Sequence, residues 1–475
     1  MFEGEFDGLK EGSHNFLLVC HHWFEIALRT PELWGFWGNT TKDWERLCPR
    51  SATAPLDLVL EGPAYCYDNF DETLIKVLQN RANRDNIRRV HLKARDTRLL
   101  NSILSALTPK SGEVRSNRIE SFILWKWNGI SPVDVSDFFA HYRFPKLQRL
   151  EFTNCIISSW DHLMSRTGAL TDLCLGFTRP SPNPTTSQLL SIFASNPLLQ
   201  RIILPHGMVP DDDDEIPSFC VPLHHLRHLE LTGDLRHVLG LLDRLDHPVI
   251  LDKLDITLRR CTLTEASPII GQYFYDYFQR RGRSQIGLGL DISCGGHITL
   301  RVGNAVVGTD PESVHMDKSV VLNVRLDPAL PKDVQRQAVV DLISQFPQEE
   351  FVYFRALDET ATMGHIYATL PNLRTLHLTG MHLPAASLEH NSDEEEGALP
   401  CLENLILKYS IMDDGCWNPL TSFLARRGKR LNTLKISDCR HMCAKVVERI
   451  EEVVPGFDAT KSLKISNQCP FGNCS

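Results

Sequence analysis

The sequence lacks a run of 18 apolar residues, and it lacks a basic N-terminal leader followed by an apolar stretch and a small-residue end. Cysteine is sparse, with 14 among 475 residues, which is far below its share in disulfide-stapled secreted domains. We therefore expect no membrane association, reduced thiols, and a location in the cytoplasm, the nucleus or both.

Three common enzyme signatures are also absent, namely G-x-x-x-x-G-K-[ST], G-x-S-x-G and H-E-x-x-H. The glycines of "IGLGLDISCGG" alternate with Leu and Ile, as in a strand, and do not form a nucleotide-binding loop. Cys439, Cys443, Cys469 and Cys474 could bind zinc only if they converged, and their spacing is not that of a known zinc finger. The sequence thus predicts a protein that is not an enzyme, with no metal and no cofactor.

The formal net charge is −9 and the pI is about 6.1. A chain of this charge repels phosphate backbones on average, so nucleic acid is not an expected partner. Apolar residues make up 42% of the chain and charged residues 23%, which are values of a folded globular protein. The expected partner is therefore another protein.

Seven strings follow the pattern L-x-x-L-x-[LIF], and their starts differ by 23, 56, 25, 122, 29 and 29 residues. Weaker copies fill several of the longer gaps. The seven strings are "LQRLEF" at 147, "LTDLCL" at 170, "LRHLEL" at 226, "LDKLDI" at 251, "LRTLHL" at 373, "LENLIL" at 402 and "LNTLKI" at 431; the weaker copies are "IRRVHL" at 87, "IESFIL" at 119, "LQRIIL" at 199 and "VLNVRL" at 321. This periodicity indicates an internal repeat of about 25–30 residues.

Segments with apolar residues at three- or four-residue steps lie between the strings and end near Gly or Pro. They include "TSQLLSIFASNP", "DLRHVLGLLDRLDHP" and "AKVVERIEEVVPG". One strand and one helix per repeat cannot bury an apolar face alone, so the units must stack. Between residues 266 and 308 the strands look longer, and we expect stretched or inserted repeats there.

Cys155 and Cys439 each follow a string by three residues, where the leucine-rich-repeat pattern places Asn or Cys. The chain thus resembles an irregular leucine-rich-repeat protein. The resemblance implies an α/β solenoid, in which a curved parallel sheet carries its helices on the outside. We assign residues 51–475 to this repeat domain.

The segment "VCHHWFEIALRTPELWGFW" contains apolar residues on one helical face, then Thr30 and Pro31 as the N-cap and first residue of a second short helix. It resembles the second half of an F-box, whose pattern Val-Cys, Trp and Leu-Trp is matched by five residues: Val19, Cys20, Trp23, Leu33 and Trp34. Residues 44–62 are similar to the link between F-box and repeats in fungal F-box proteins. We assign residues 1–50 to this partial helical segment.

In the F-box family the box docks the Skp adaptor of a cullin ubiquitin ligase, and the repeats hold the protein to be ubiquitylated. The resemblance therefore implies an adaptor that binds the Skp protein through the five matching residues and binds a protein substrate through its repeats. The first half of the box, a Leu-Pro step and an apolar helix, has no counterpart in "MFEGEFDGLKEGSHN". Two alternatives remain: the five residues may instead cap the first repeat, and the chain may be a repeat scaffold without ligase docking.

Overall fold

The computed structural model shows an α/β protein in which a large, mainly parallel β-sheet is accompanied by helices. The chain divides into two compact units, Met1–Pro248 (unit 1) and Val249–Ser475 (unit 2). No helix among the described residues is long and apolar enough to cross a membrane. The structure describes residues 21–38, 49–51, 54–61, 71–109, 115–126, 132–164, 166–176, 184–205, 209, 219–248, 251–258, 287–293, 297–307, 314–325, 337, 339–341, 343–344, 351–357, 370–379, 399–408, 417–427, 431–437 and 444–454.

The main sheet of unit 1 has eight described strands, all parallel and arranged in the order of the sequence. Neighbouring strands from β2 onward begin 23 to 34 residues apart, which is close to the predicted repeat length. The strands are β1 Phe36–Gly38, β2 Leu56–Glu61, β3 Ile87–Ala94, β4 Ser121–Lys126, β5 Arg149–Thr153, β6 Asp172–Gly176, β7 Arg201–Leu204 and β8 His228–Gly233.

The leucine strings of unit 1 lie in register across this sheet, so that equivalent positions of successive strings are direct neighbours. One continuous column of fully buried side chains crosses seven strands; its members are Leu58, Val90, Phe122, Leu150, Leu173, Ile202 and Leu229. Because side chains alternate between the two faces of a strand, this column occupies one face only. The prediction that the strings are buried strands of one sheet is confirmed for unit 1.

Helices follow the strands of unit 1, and α4 and α8 contact β3 and β8 respectively. Several begin at side-chain caps: Asn80, Asp96 and Thr185 accept hydrogen bonds from the first turns of α3, α4 and α7. The helices are α1 His21–Leu28, α2 Asp71–Gln79, α3 Arg81–Asp85, α4 Thr97–Leu107, α5 Ser136–His141, α6 Trp160–Met164, α7 Thr186–Ser195 and α8 Leu235–Leu242, together with the 3-10 turn Pro31–Trp34.

Three further pairs of two-residue parallel strands lie outside the main sheet of unit 1. They join segments of successive repeats, in the same sense as the main strands. The pairs are Arg115–Ser116 with Tyr142–Arg143, Val133–Asp134 with Cys155–Ile156, and Val221–Pro222 with Leu245–Asp246.

Six aromatic rings form the densest part of the core of unit 1, and each is almost completely buried. They contact one another at centroid separations of 5.0 to 5.8 Å, in tilted or edge-on arrangements that suit the ring quadrupoles. The hydroxyl of Tyr142 donates to the carbonyl oxygen of Leu107 at 2.7 Å. The rings belong to Phe122, Phe138, Phe139, Tyr142, Phe144 and Phe152.

Unit 2 also has eight described strands in its main sheet, but their order departs from the sequence: β9-β12-β11-β10-β13-β14-β15-β16. The strands are β9 Lys253–Leu258, β10 Gly287–Ser293, β11 His297–Val307, β12 Val314–Arg325, β13 Phe351–Leu357, β14 Thr375–Thr379, β15 Asn404–Lys408 and β16 Thr433–Ser437. Its two described helices are α9 Trp417–Arg427 and α10 Ala444–Val453.

Strands β10, β11 and β12 are antiparallel to one another, so the predicted parallel arrangement is wrong for this part of the sheet. The weak repeat copy "VLNVRL" is also misaligned: Leu254 is paired with Val320, whereas the string would require Val324. Long alternating strands with short links can pair as hairpins, and this local pairing replaces the repeat. The strands β13 to β16 return to parallel, in-register stacking.

Asn196 is a polar residue that connects two successive repeats inside unit 1, and it has no exposed surface. It follows α7, where its side-chain amide donates to the Ile192 carbonyl at 2.8 Å and to the Thr167 hydroxyl at 3.3 Å. Its Oδ1 accepts from the backbone N–H of Leu170, at the start of a leucine string, at 3.2 Å. One side chain thus satisfies three buried polar groups.

Replacing Asn196 by Ala should lower the free energy of unfolding by about 2–3 kcal/mol, because the buried N–H of Leu170 then has no acceptor. Urea denaturation followed by tryptophan fluorescence measures this loss. Ser195→Ala, at the neighbouring exposed position, is the control and should change stability by less than about 0.5 kcal/mol. Equal effects of the two substitutions would show that the Asn196 network is not stabilising.

Candidate functional site

The five residues predicted to bind a partner are distributed over the start of the described chain. Val19 and Cys20 lie outside the described residues, and Trp23 lies in α1. Leu33 and Trp34 form the end of the 3-10 turn that begins with Pro31 after Thr30, as the sequence predicts. The hydroxyl of Thr30 does not cap this turn but donates to the carbonyl of Ile26 at 2.8 Å.

Leu33 and Trp34 are adjacent but face different surroundings, with exposed fractions of 47% and 2%. The Trp34 carbonyl accepts a hydrogen bond from the indole of Trp37 at 3.2 Å, and the Arg50 guanidinium lies 4.9 Å from the Trp34 ring centroid. Gly35 packs so closely that a Cβ atom there would lie 2.5 Å from the Pro55 carbonyl oxygen. Trp34 is therefore a packing residue, whereas Leu33 is available to a partner.

Four large apolar side chains are exposed within one short segment, and we call them the N-terminal apolar patch. They belong to α1, the 3-10 turn and β1, which contact one another in sequence order. The other exposed large apolar residues of the described chain are spread over distant positions. Concentrated exposure of apolar groups is typical of an interaction surface. The patch consists of Ile26, Leu28, Leu33 and Phe36.

The second candidate surface is the face of the unit 1 sheet opposite the buried column, which we call the open face. Polar residues occupy it in register, so one row crosses seven strands at right angles to their direction. We call this row the charged row; its members are Asp57, Arg89, Ser121, Arg149, Asp172, Arg201 and His228.

Arginines of the open face lie nearer the solvent than the carboxylates that hold them. The Arg149 side chain is 39% exposed and its partner Glu151 9%, with Nη2 and Oε2 separated by 2.9 Å. Arg88 donates to both oxygens of Asp57, through Nε at 3.0 Å and Nη2 at 2.7 Å, and is 35% exposed against 12% for Asp57. The guanidinium groups are therefore oriented from below by carboxylates and present their remaining N–H groups outward.

His91 lies on the open face beside the charged row, and its Nε2 is hydrogen-bonded to the Ser121 hydroxyl at 2.8 Å. Burial lowers the pKa of His91 to about 4, and the positive charges of Arg149, Arg89 and Lys93 lower it further in the same direction. The imidazole is consequently neutral at pH 7. Its surroundings carry a positive electrostatic potential.

An aromatic residue and two thiols complete the open face and its border. The Lys93 ammonium lies 4.8 Å from the ring centroid of Trp125 and 3.0 Å from Glu61. Burial raises the pKa of the Cys174 thiol to about 12, assisted by Glu151, and burial also raises the pKa of Cys155. Thiols with raised pKa values are poor nucleophiles.

Among the described residues, no group of three or more His, Cys, Asp or Glu side chains is arranged to hold a metal ion. The sequence analysis did not identify the charged row, although its signal was present. The row uses the residue just before the second apolar position of each string, such as Arg149 in "LQRLEF" and Asp172 in "LTDLCL". Register between the strings was needed to show that these residues are neighbours.

Comparison with models of known protein families gave no match, and no curated protein matched the sequence.

Replacing His91 by Gln should reduce the dependence of stability on pH. The folded state has the lower pKa, so the unfolded state binds a proton first, and stability is lost as the pH falls from about 6.5 toward 4. Between pH 7 and pH 5 the wild-type protein should lose about 2 kcal/mol more than the variant. Urea denaturation at both pH values measures the difference, and identical pH dependence would contradict the positive surroundings of His91.

Proposed function

We propose that this protein is a noncatalytic substrate receptor of a Skp-cullin-F-box ubiquitin ligase, acting in the cytoplasm or the nucleus. In this proposal the repeats form a leucine-rich-repeat solenoid whose open face holds a protein substrate. The observation that carries the proposal is the in-register stacking of the leucine strings in unit 1. Stacked repeats use one face for the core and leave the other free for binding.

The N-terminal apolar patch supports the docking half of the proposal. Leu33 belongs to the Leu-Trp pair by which the segment resembles an F-box, and its side chain is exposed together with Ile26, Leu28 and Phe36. Exposed apolar groups gain about 25 cal/mol for each Å² that a partner covers. Trp34 supports the same surface indirectly, because its burial holds the turn against the start of the sheet.

A second candidate function is a repeat scaffold without ligase docking. The burial of Trp34 favours it, since that residue contacts Trp37 and Arg50 of its own chain. The 3-10 turn would then serve mainly to cover the first strands of the sheet, where solenoids need protection. The two functions differ in whether the full chain binds the Skp adaptor.

The full chain should copurify with the Skp adaptor in a pull-down with purified proteins. Leu33→Asp should reduce the retained adaptor at least about tenfold, because a charged group would enter an apolar contact. The amount of adaptor on the beads, measured by quantitative immunoblot, is the readout.

Leu198→Asp provides the matched control, since Leu198 has the same exposed fraction of 47% but lies after α7. It should leave the retained adaptor unchanged. Absence of binding by the wild-type chain would reject the ligase proposal in favour of the scaffold. Equal loss with both variants would show that the N-terminal apolar patch is not the docking surface.

A further inference from the structure

We propose that the charged row binds an extended acidic segment of a protein in the polyproline II conformation, with Asp or Glu at every third position. This inference rests on the proposed function, because it names the class of substrate that the open face recognises. It depends on three arginines of the row, their spacing and the position of Asp172 between two of them.

The charge of the row is more positive toward the ligand than its composition suggests. Arg89 and Arg149 are 37% and 39% exposed, whereas Asp57 and Glu151 lie beneath them at 12% and 9%. Coulomb interactions are weakened by solvent, so the groups nearest the ligand dominate its binding. A guanidinium has five N–H donors, and the carboxylates below leave several of them for a bound carboxylate.

Arg201 supplies a third cation, and it has no ion pair within the described residues. Its Nε is buried without a hydrogen-bond acceptor in that part of the chain. A buried donor without an acceptor costs about 1–3 kcal/mol, which a ligand oxygen would recover. Arg201 is thus better suited to a ligand than to stabilising the free protein.

The spacing of the three arginines selects the conformation of the ligand. Arg89 and Arg149 are separated by the strand that carries Ser121, and Arg149 and Arg201 by the strand that carries Asp172. Strands lie about 4.8 Å apart, so successive arginines are about 9.6 Å apart. Polyproline II rises about 3.1 Å per residue with three residues per turn, which places every third side chain on one side about 9.3 Å apart.

Asp172 discriminates against a continuous acidic run. It lies between Arg149 and Arg201 in the row, and its Oδ2 accepts a hydrogen bond from the Thr171 hydroxyl at 2.8 Å. A run of adjacent glutamates would bring one carboxylate over Asp172, and this like-charge contact is unfavourable. A segment with acids at every third position avoids that contact.

A test uses fluorescence anisotropy of the full chain with labelled nonapeptides whose ends are blocked. The first contains three Glu-Pro-Ala repeats, the second has the same composition with its glutamates adjacent, and the third has Gln in place of Glu. The spaced peptide should bind at least about fivefold more tightly than the adjacent one and about tenfold more tightly than the Gln peptide. Affinity should fall as salt is raised.

Arg201→Met and Arg89→Gln should each weaken binding of the spaced peptide about three- to fivefold. Arg201→Met should not lower the melting temperature, because it removes a buried donor that has no acceptor. Arg89→Gln leaves Asp57 paired with Arg88. Arg98→Gln, an exposed change in α4, is the matched control and should leave affinity unchanged.

Equal affinity for the spaced and adjacent peptides would overturn the proposal, as would equal losses in the control and row variants. Tighter binding of single-stranded RNA than of the spaced peptide would assign the row to phosphate instead. A fall in melting temperature of Arg201→Met would show a structural role. Pull-down of the Skp adaptor by Arg201→Met should match wild type, so failure of the peptide test and failure of ligase docking are separate results.

Discussion

Unit 1 depends on one constraint: the apolar side chains on one face of its sheet are buried only if neighbouring strands keep the same register. Leu150, for example, is covered on the two sides by Phe122 and Leu173 of the adjacent strands. A slip by one residue would turn every such side chain to the opposite face. The constraint therefore fixes the core and, at the same time, the order of the polar residues that alternate with it.

The two candidate surfaces follow from this constraint in different ways. The residues of the open face are not needed for the core, so charge can be arranged there with little effect on the fold. The N-terminal apolar patch instead lies where the sheet begins, and Trp34 and Trp37 are buried beside it. A partner of the patch and a partner of the charged row would thus contact different parts of unit 1.

Much of the fold could be predicted because the repeat uses a simple pattern of spacing. The leucine strings, the helices Thr186–Ser195 and Leu235–Leu242, and the short turn after Thr30 were all evident in the sequence. The antiparallel strands β10 to β12 were not, because pairing between long alternating strands is decided by the partners that tertiary structure offers. The charged row was missed because its residues are far apart in sequence and become neighbours only through register.

The strand order of unit 2 has a consequence for the kinetics of folding. Leu254 pairs with Val320, and Leu288 with Phe351, so these contacts close loops more than twice as long as those between neighbouring strands of unit 1. Closing long loops costs chain entropy before any contact rewards it, and contacts distant in sequence slow folding. The hairpins β10–β11 and β11–β12 are local and can form first. The joining of β9 to β12 and of β10 to β13 is thus the slow step in assembling this sheet.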